Sequence, residues 1–434
     1  AGFGFAHNKV REVIYESVPA PLLREMHLMV GELLEERNAG GESVSVYDLA
    51  RHFYEAGDAA RGYQYALQAA DAAEAALAPA EAAAHLGRAL ELAEALPANV
   101  ASPEQALQMR QRYAGLLATL GQQERAWDAY AQALKEASAL GDVRAEGAIL
   151  LEQGALRGRA GAWAEASALI EEALQLALRH GVSITEVGAL QRKGYFAFEQ
   201  GNWEDALALL RRALERADAY DLPVPKARIL GNLGIVEHAR GEPEMAIELF
   251  RDSVTTFSTA GMPLDVVRGL SNMGFCYQAM GRYDEAIAIH EEALERLEQV
   301  GDVREEGLAH LHMAESCEAL GNVTEAREHC AKASRRFSLI GFEQGIADVD
   351  RVYARIASRQ NRWEVAERYL RHAISVYDDH GDQLNLAESH EELAALLETV
   401  GEGAQAANEL RRSKILYASL HGNGESSEDA SPGG

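Results

Sequence analysis

The chain has 434 residues, 47% of them hydrophobic, and 68 acidic against 41 basic side chains give it a formal net charge of −27. That balance argues against direct nucleic-acid binding, which depends on Lys and Arg displacing condensed counterions. Cys276, Cys317 and Cys330 lie inside helical patterns with no CxxC pair, so neither a disulfide framework nor a zinc module is suggested, and no apolar run reaches the roughly 18 residues of a membrane span.

Residues 1–40 hold a short alternating segment, FGFAH, then two helical patterns, KVREVIYESV and PLLREMHLMVGELLEER, parted by Pro19 and Pro21. This stretch is expected to be a helical connector, closed by the turn-rich NAGGES at 38–43. The opening residues lack the basic and apolar regions of a signal peptide, and the cysteine usage fits a reducing cytoplasm, the expected location. Those opening residues read as the middle of a longer polypeptide. Residues 41–100 carry alanine-rich, loosely periodic patterns such as RGYQYALQAADAAEAAL and PAEAAAHLGRALELAEAL, expected to be one or two irregular repeats.

From 101 to 420 the chain keeps a strict period of 40 residues. Gly121, Gly161, Gly201, Gly241, Gly281, Gly321, Asn361 and Gly401 are each followed five residues later by an alanine, Ala126 through Ala406. A second series, Gly141, Gly181, Asp221, Gly261, Gly301, Gly341 and Gly381, falls halfway between. Punctuation of this kind predicts helix, turn, helix, turn: eight helix pairs in an all-α solenoid. Residues 421–434 are small, polar and acidic and are expected to be disordered.

The glycines fit the left-handed residue that closes a helix, and Asn361 and Asp221 tolerate that conformation better than other non-glycine residues. Pro243 suits the first position of a helix, where its missing N–H costs nothing. The recurring alanines mark where the second helix of a pair approaches the first, with Gly154, Gly194, Gly234 and Gly274 serving the same closeness on the first helix. Trp163, Trp203 and Trp363 also recur at one repeat position and are expected to pack between helices.

Gly201-Asn202-Trp203-Glu204-Asp205-Ala206 and Gly281-Arg282-Tyr283-Asp284-Glu285-Ala286, with a small residue in the preceding helix, resemble the tetratricopeptide pattern, as does Gly161 to Ala166. That family's usual period is about 34 residues; the longer period here is similar to its long-helix members that bind peptides and proteins. The resemblance implies a right-handed superhelix whose first helices line a concave groove. Residues 1–40, through Phe3, Phe5, His7, Arg11, Glu12, Tyr15, Leu23, Arg24 and His27, resemble the segment joining an ATPase core to helical repeats in bacterial multidomain signalling ATPases of the maltose-regulon-activator type.

One position facing such a groove reads Arg112, Glu152, Arg192, Asn232, Asn272, His312, Val352 and Glu392. Asn232 and Asn272 match the family's groove asparagine, whose amide both donates to and accepts from a peptide backbone. Arg228 and Arg268 lie one turn earlier, Tyr195, Ile235 and Phe275 nearly one turn later, and His238 and Gln278 complete the patch. Arg192, Arg228 and Arg268 with these amides suit an acidic or carboxylate-bearing protein or peptide. The competing reading is that the aromatics are core and the arginines neutralise neighbours such as Glu237 and Glu244.

No GxSxG, Walker loop, GxGxxG or HExxH occurs, and neither a cofactor nor a metal is expected. His310, His312, Cys317, His329 and Cys330 are the densest potential ligands, but His310 and His312 point apart on one helix. Paired carboxylates such as Glu171 with Glu172 recur in each unit and read as a solvated face. His27, His52 and His85 look isolated. The expected function is a non-enzymatic sensor or scaffold that binds a peptide, protein segment or small effector in its concave groove and regulates an attached signalling ATPase or effector module. The alternative is a passive assembly or self-association scaffold.

Overall fold

The computed structural model describes residue 15 and residues 17–422, and no strand occurs among them. The expectations for residues 1–14 and for the tail beyond 422 lie outside these. The chain divides into two compact units, Ala1–Arg192 and Lys193–Gly434.

The first unit contains α1 (Ala20–Ala39), α2 (Val46–Ala56), α3 (Ala59–Ala75), α4 (Pro79–Ala93), α5 (Pro103–Thr119), α6 (Gln123–Leu140), α7 (Val143–Arg159) and α8 (Trp163–His180). Helix α9 (Ser183–Glu199) crosses the boundary. The second unit continues with α10 (Trp203–Ala219), α11 (Pro223–Ala239), α12 (Pro243–Thr259), α13 (Pro263–Ala279), α14 (Tyr283–Val300), α15 (Val303–Ala319), α16 (Val323–Ile340), α17 (Glu343–Arg359), α18 (Trp363–His380), α19 (Gln383–Thr399) and α20 (Gly403–Gly422).

Local chemistry sets these boundaries. Both glycine series adopt positive φ, and Asp221 (φ 52) and Asn361 (φ 57) adopt it where glycine is missing. A left-handed residue turns the chain out of one helix so that the next can start two residues later. Starts are equally marked. Pro223, Pro243 and Pro263 open α11, α12 and α13, and the Asp142, Asp302 and Asp382 carboxylates accept from the backbone N–H of Ala145, Glu305 and Asn385. Such caps satisfy donors a helix start would leave unpaired, each worth about 1 kcal/mol.

Within each pair, small residues meet large ones. A Cβ placed on Gly154, Gly194, Gly234 or Gly274 would come within 2.5, 2.7, 2.8 or 2.4 Å of Ile170, Leu210, Phe250 or His290. Each of those large residues stands four positions after a repeat alanine, and Ala166, Ala206, Ala246 and Ala286 are wholly buried. The first helix thus offers a notch and the second a knob. Overfilling such a contact costs roughly 1–3 kcal/mol.

The tryptophans meet their expected packing role only in part. Trp163, Trp203 and Trp363 each open a second helix; Trp363 packs on the core around Leu370 and Leu396, whereas Trp203 remains 38% exposed. A side chain at the first helical position has core on one side only. Cys276, Cys317 and Cys330 are free and buried. His27 and His52 are not isolated, since their Nδ1 atoms lie 2.9 Å apart and the Tyr15 hydroxyl reaches His27 Nε2 at 2.7 Å.

In the second unit successive first helices pack on one another, α11 on α13, α13 on α15 and α15 on α17, and no two successive second helices do so as closely. The first helices therefore form the inner wall of this unit.

Candidate functional site

On α11, Arg228 and Asn232 stand one turn apart, followed by Ile235. On α13, Arg268, Asn272 and Phe275 repeat that spacing 40 residues later. Residues at i, i+4 and i+7 share a helix face. Arg228 is exposed and forms no salt bridge among the described residues, and Arg268 is 64% exposed with only Asp265 in range, at 3.8 Å. Asn232 and Asn272 are half-buried, and neither amide has a hydrogen-bond partner among the described residues. Arg228 and the two amides thus stand unspent, while Arg268 has the loose Asp265 pair and an electrostatic pull from Glu305.

The other expected residues are placed differently. Arg192, the last residue of the first unit, has its guanidinium on Glu152 at 2.6 Å, joining equivalent positions of neighbouring repeats. Tyr195 is exposed and meets the Phe198 ring, with centroids 6.4 Å apart. Ile235 packs against the core around Phe250 and Leu270. His238 Nδ1 lies 3.5 Å from Cys276 Sγ. Gln278 donates to the His312 carbonyl oxygen at 3.0 Å and to Ser316 Oγ at 2.9 Å, so its side chain is already engaged.

His312 is nearly buried. Its ring meets Phe275 edge-on at 4.4 Å and lies 5.1 Å from His290, which is fully buried in the notch of Gly274. Burial pushes His312 down to about 4, and burial with the neighbouring His312 pushes His290 down to about 3. Both are neutral at physiological pH. His310 turns away from His312 to meet His329, the two Nδ1 atoms 3.2 Å apart.

Phe275 also lines a cleft of about 360 Å³ with Leu308, His312, Glu315, Arg351 and Glu388, a feature the sequence reading missed. Its far wall is an ion network. Arg351 is held by Glu388 at 2.8 Å and Glu392 at 2.9 Å and accepts no further guest easily; Arg355 lies within 3.5 Å of Glu315, Glu318 and Glu392. Burial alone would lower the Arg351 pKa, but Glu392 and Glu388 outweigh it and hold it above the ordinary value. Burial raises Glu315 against the pull of Arg355, and raises Asp348 against the hydrogen bond from the Tyr377 hydroxyl. The missed signal was arithmetic: Glu315 and Arg355 are 40 residues apart, Arg351 and Glu392 are 41 apart, as are Glu318 and Arg359, which meet at 2.5 Å.

Antiparallel helix pairs, stacked so that the first helices form a polar inner wall, define an α-solenoid. Its particular kind is read from sequence: residues 186–258, 265–311 and 305–379 match the tetratricopeptide repeat family, so these residues form tetratricopeptide repeats. No curated protein matches the chain by sequence. Among solved structures it is similar to the apo form of RapI, with 15% identity and a TM-score of 0.54 over 64% of this chain and 99% of that one. A signal transduction ATPase with numerous domains and a tetratricopeptide repeat sensor, from Pyrococcus horikoshii, is similar at 16% identity and a TM-score of 0.59, covering 98% of this chain and 67% of that one. A Rap protein complexed with competence and sporulation factor is similar at 12% identity and a TM-score of 0.50, covering 73% and 99%. At such identities the likeness is one of fold.

Proposed function

We propose that the chain is a non-enzymatic cytoplasmic sensor that binds a peptide or protein segment on the first helices of its second unit and thereby regulates an attached signalling ATPase or effector module. The observation that carries this is the cluster of Arg228, Asn232, Arg268 and Asn272 on two packed helices of a chain with net charge −27, where Arg228 and both amides have no partner among the described residues and Arg268 is 64% exposed beside Asp265. Arg grips a carboxylate with two parallel hydrogen bonds, and an Asn amide can pair with a peptide unit. The fold shared with a tetratricopeptide sensor of a signalling ATPase and with a Rap protein holding a factor supports the same reading. Regulation would require different affinities for the segment in two states of the array.

The test is the double variant Arg228→Glu with Arg268→Glu, titrated against a random octapeptide pool and checked by circular dichroism. Lost binding in a folded protein is expected; unchanged binding would sink the assignment. One observation favours the alternative, self-association. Helix α1 exposes Leu22, Met26, Met29 and Leu33 along one face, an apolar stripe of the kind that marks a protein–protein contact. A mass that rises with concentration in light scattering, abolished by Met26→Lys with Met29→Lys, would favour assembly.

A further inference from the structure

Between the first helices of the last two pairs the inner wall of the second unit parts. Helix α15 packs on α17, whereas α17 and α19 do not pack as closely. The sequence supplies the reason. Ser358 stands where preceding repeats carry Phe198, His238, Gln278 and Glu318, and Ala395 stands where they carry Phe275, Glu315 and Arg355. These two short side chains leave a cavity of about 370 Å³ between the C-terminal halves of α17 and α19, floored by Ala354, Trp363, Leu370 and Leu396.

We propose that this cavity binds a small, uncharged aromatic molecule carrying one N–H or O–H donor. The site lies apart from Arg228 and Arg268 and does not depend on the peptide-binding reading above. Size sets the first limit: a cavity of about 150 Å³ holds a benzene ring, so this one has room for a bicyclic ring system. The floor sets the second. It is apolar and includes the Trp363 indole, against which an aromatic ring can lie offset or edge-on.

The rim decides charge and polarity. Glu318 holds Arg359 at 2.5 Å and Arg355 at 3.5 Å, and Glu392 holds Arg351 at 2.9 Å and Arg355 at 3.4 Å. Acids and bases are matched there. A ligand carboxylate would meet Glu318 and Glu392, and an ammonium would meet Arg355 and Arg359, with no free counter-charge for either. One polar atom is left over: Glu392 accepts from Arg351 and Arg355 through Oε1, while its Oε2 is shut off from solvent and has no hydrogen-bond partner among the described residues. A buried acceptor without a donor is costly, and a small turn of the carboxylate would present it to a ligand N–H or O–H in the cavity that Glu392 lines.

The full chain is titrated with indole by isothermal calorimetry, beside 1-methylindole, which lacks the N–H donor, and the charged analogues indole-3-acetate and tryptamine. Indole is expected to bind saturably at one site, 1-methylindole about threefold or more weaker, and the charged analogues about tenfold or more weaker. Two variants fill the cavity with side chains that earlier repeats carry in the same columns, Ala395→Phe as at Phe275 and Ser358→Gln as at Gln278. Each should cut indole affinity about tenfold or more with circular dichroism unchanged, and if one fails to fold the other decides. Absence of saturable indole binding, or undiminished binding by a folded filled variant, overturns the site. Equal affinity for 1-methylindole, or tighter binding of a charged analogue, overturns the assigned chemistry. The random octapeptide pool should bind the filled variants as it binds the native chain, so this site and the peptide surface fail separately.

Discussion

The arginines of the inner wall fall into two regions with opposite fates. In α15–α19, Arg351 and Arg355 are each shared among several carboxylates of neighbouring helices; in α11–α13, Arg228 is unpaired among the described residues and Arg268 touches only Asp265 at 3.8 Å. The difference lies in the neighbouring repeats. Forty residues either side of Arg228 stand Gly188 and Arg268, and either side of Arg268 stand Arg228 and Leu308. In a stacked array a charge is architectural when its column supplies the opposite charge one repeat away, and available when it does not.

The largest effect expected from this comparison is on stability. Removing one partner of a fully buried ion pair costs about 3–5 kcal/mol, and Arg351 keeps only 14% of its side chain exposed. Glu388 and Glu392 remain 40% and 27% exposed and can recover water. Arg351→Ala should therefore destabilise by roughly 1–3 kcal/mol, and Arg228→Ala by less than about 0.5 kcal/mol. Urea unfolding of the two variants checks this, and equal shifts would break the distinction.

Between the two regions lies the buried pair of His290 and His312, and acid should act there first. Their folded pKa values are depressed, so the unfolded chain takes up protons first as pH falls below about 6.5. The neutral histidines contribute stability that is complete above that value and is lost progressively towards about 4 for His312 and about 3 for His290. His290→Phe removes one such group without a change of packing logic, because Phe250 fills the same notch one repeat earlier. Relative to the variant, the native chain should lose about 2 kcal/mol between pH 7 and pH 5. Parallel stability curves for the two proteins would show that His290 does not titrate in this way.

Much of the fold was legible because it repeats. The glycines with positive φ, the notch glycines and the buried alanines each follow from one local requirement restated every 40 residues. The wall of the groove was harder to read. Position alone grouped Arg192 with Arg228 and Arg268, yet Arg192 pairs with Glu152 inside the first unit; similarly, Gln278 and His238 are engaged by Ser316 and Cys276 on neighbouring helices. Which donors remain free depends on contacts between repeats, and a single-column reading does not contain them. Comparing each charge with the residues 40 and 41 positions away would have separated the two groups and pointed to Arg351 and Arg355.

That rule is sharpened by a pair more exposed than Arg351. Glu152 and Arg192 keep 45% and 31% of their side chains exposed, and such pairs are worth about 0.2–1 kcal/mol. A double-mutant cycle of Glu152→Ala and Arg192→Ala should give a coupling energy of about 0.5 kcal/mol that shrinks in 1 M salt. The same cycle on Arg228 and Arg268, which stand one repeat apart and share no salt bridge among the described residues, should give no stabilising coupling.

The smallest expected effect concerns a break in the repeat that recognises nothing. Asp221 stands where the halfway series otherwise has glycine and holds φ at 52, a conformation that costs a residue with a Cβ roughly 1 kcal/mol or more, less for Asp than for most. Asp221→Gly restores the residue of the repeat, relieving that strain while raising the entropy of the unfolded chain. The net change should be a gain of a few tenths of a kcal/mol up to about 0.5 kcal/mol, measurable as a shift of the urea midpoint at constant slope, with peptide binding unchanged. Arg228 and Arg268 also break the repeat, but their substitution should do the reverse, leaving stability unchanged and altering binding. A variant of Asp221 that altered binding, or of Arg228 that altered stability by as much as Arg351→Ala, would mean that breaks in the period do not sort into these two kinds.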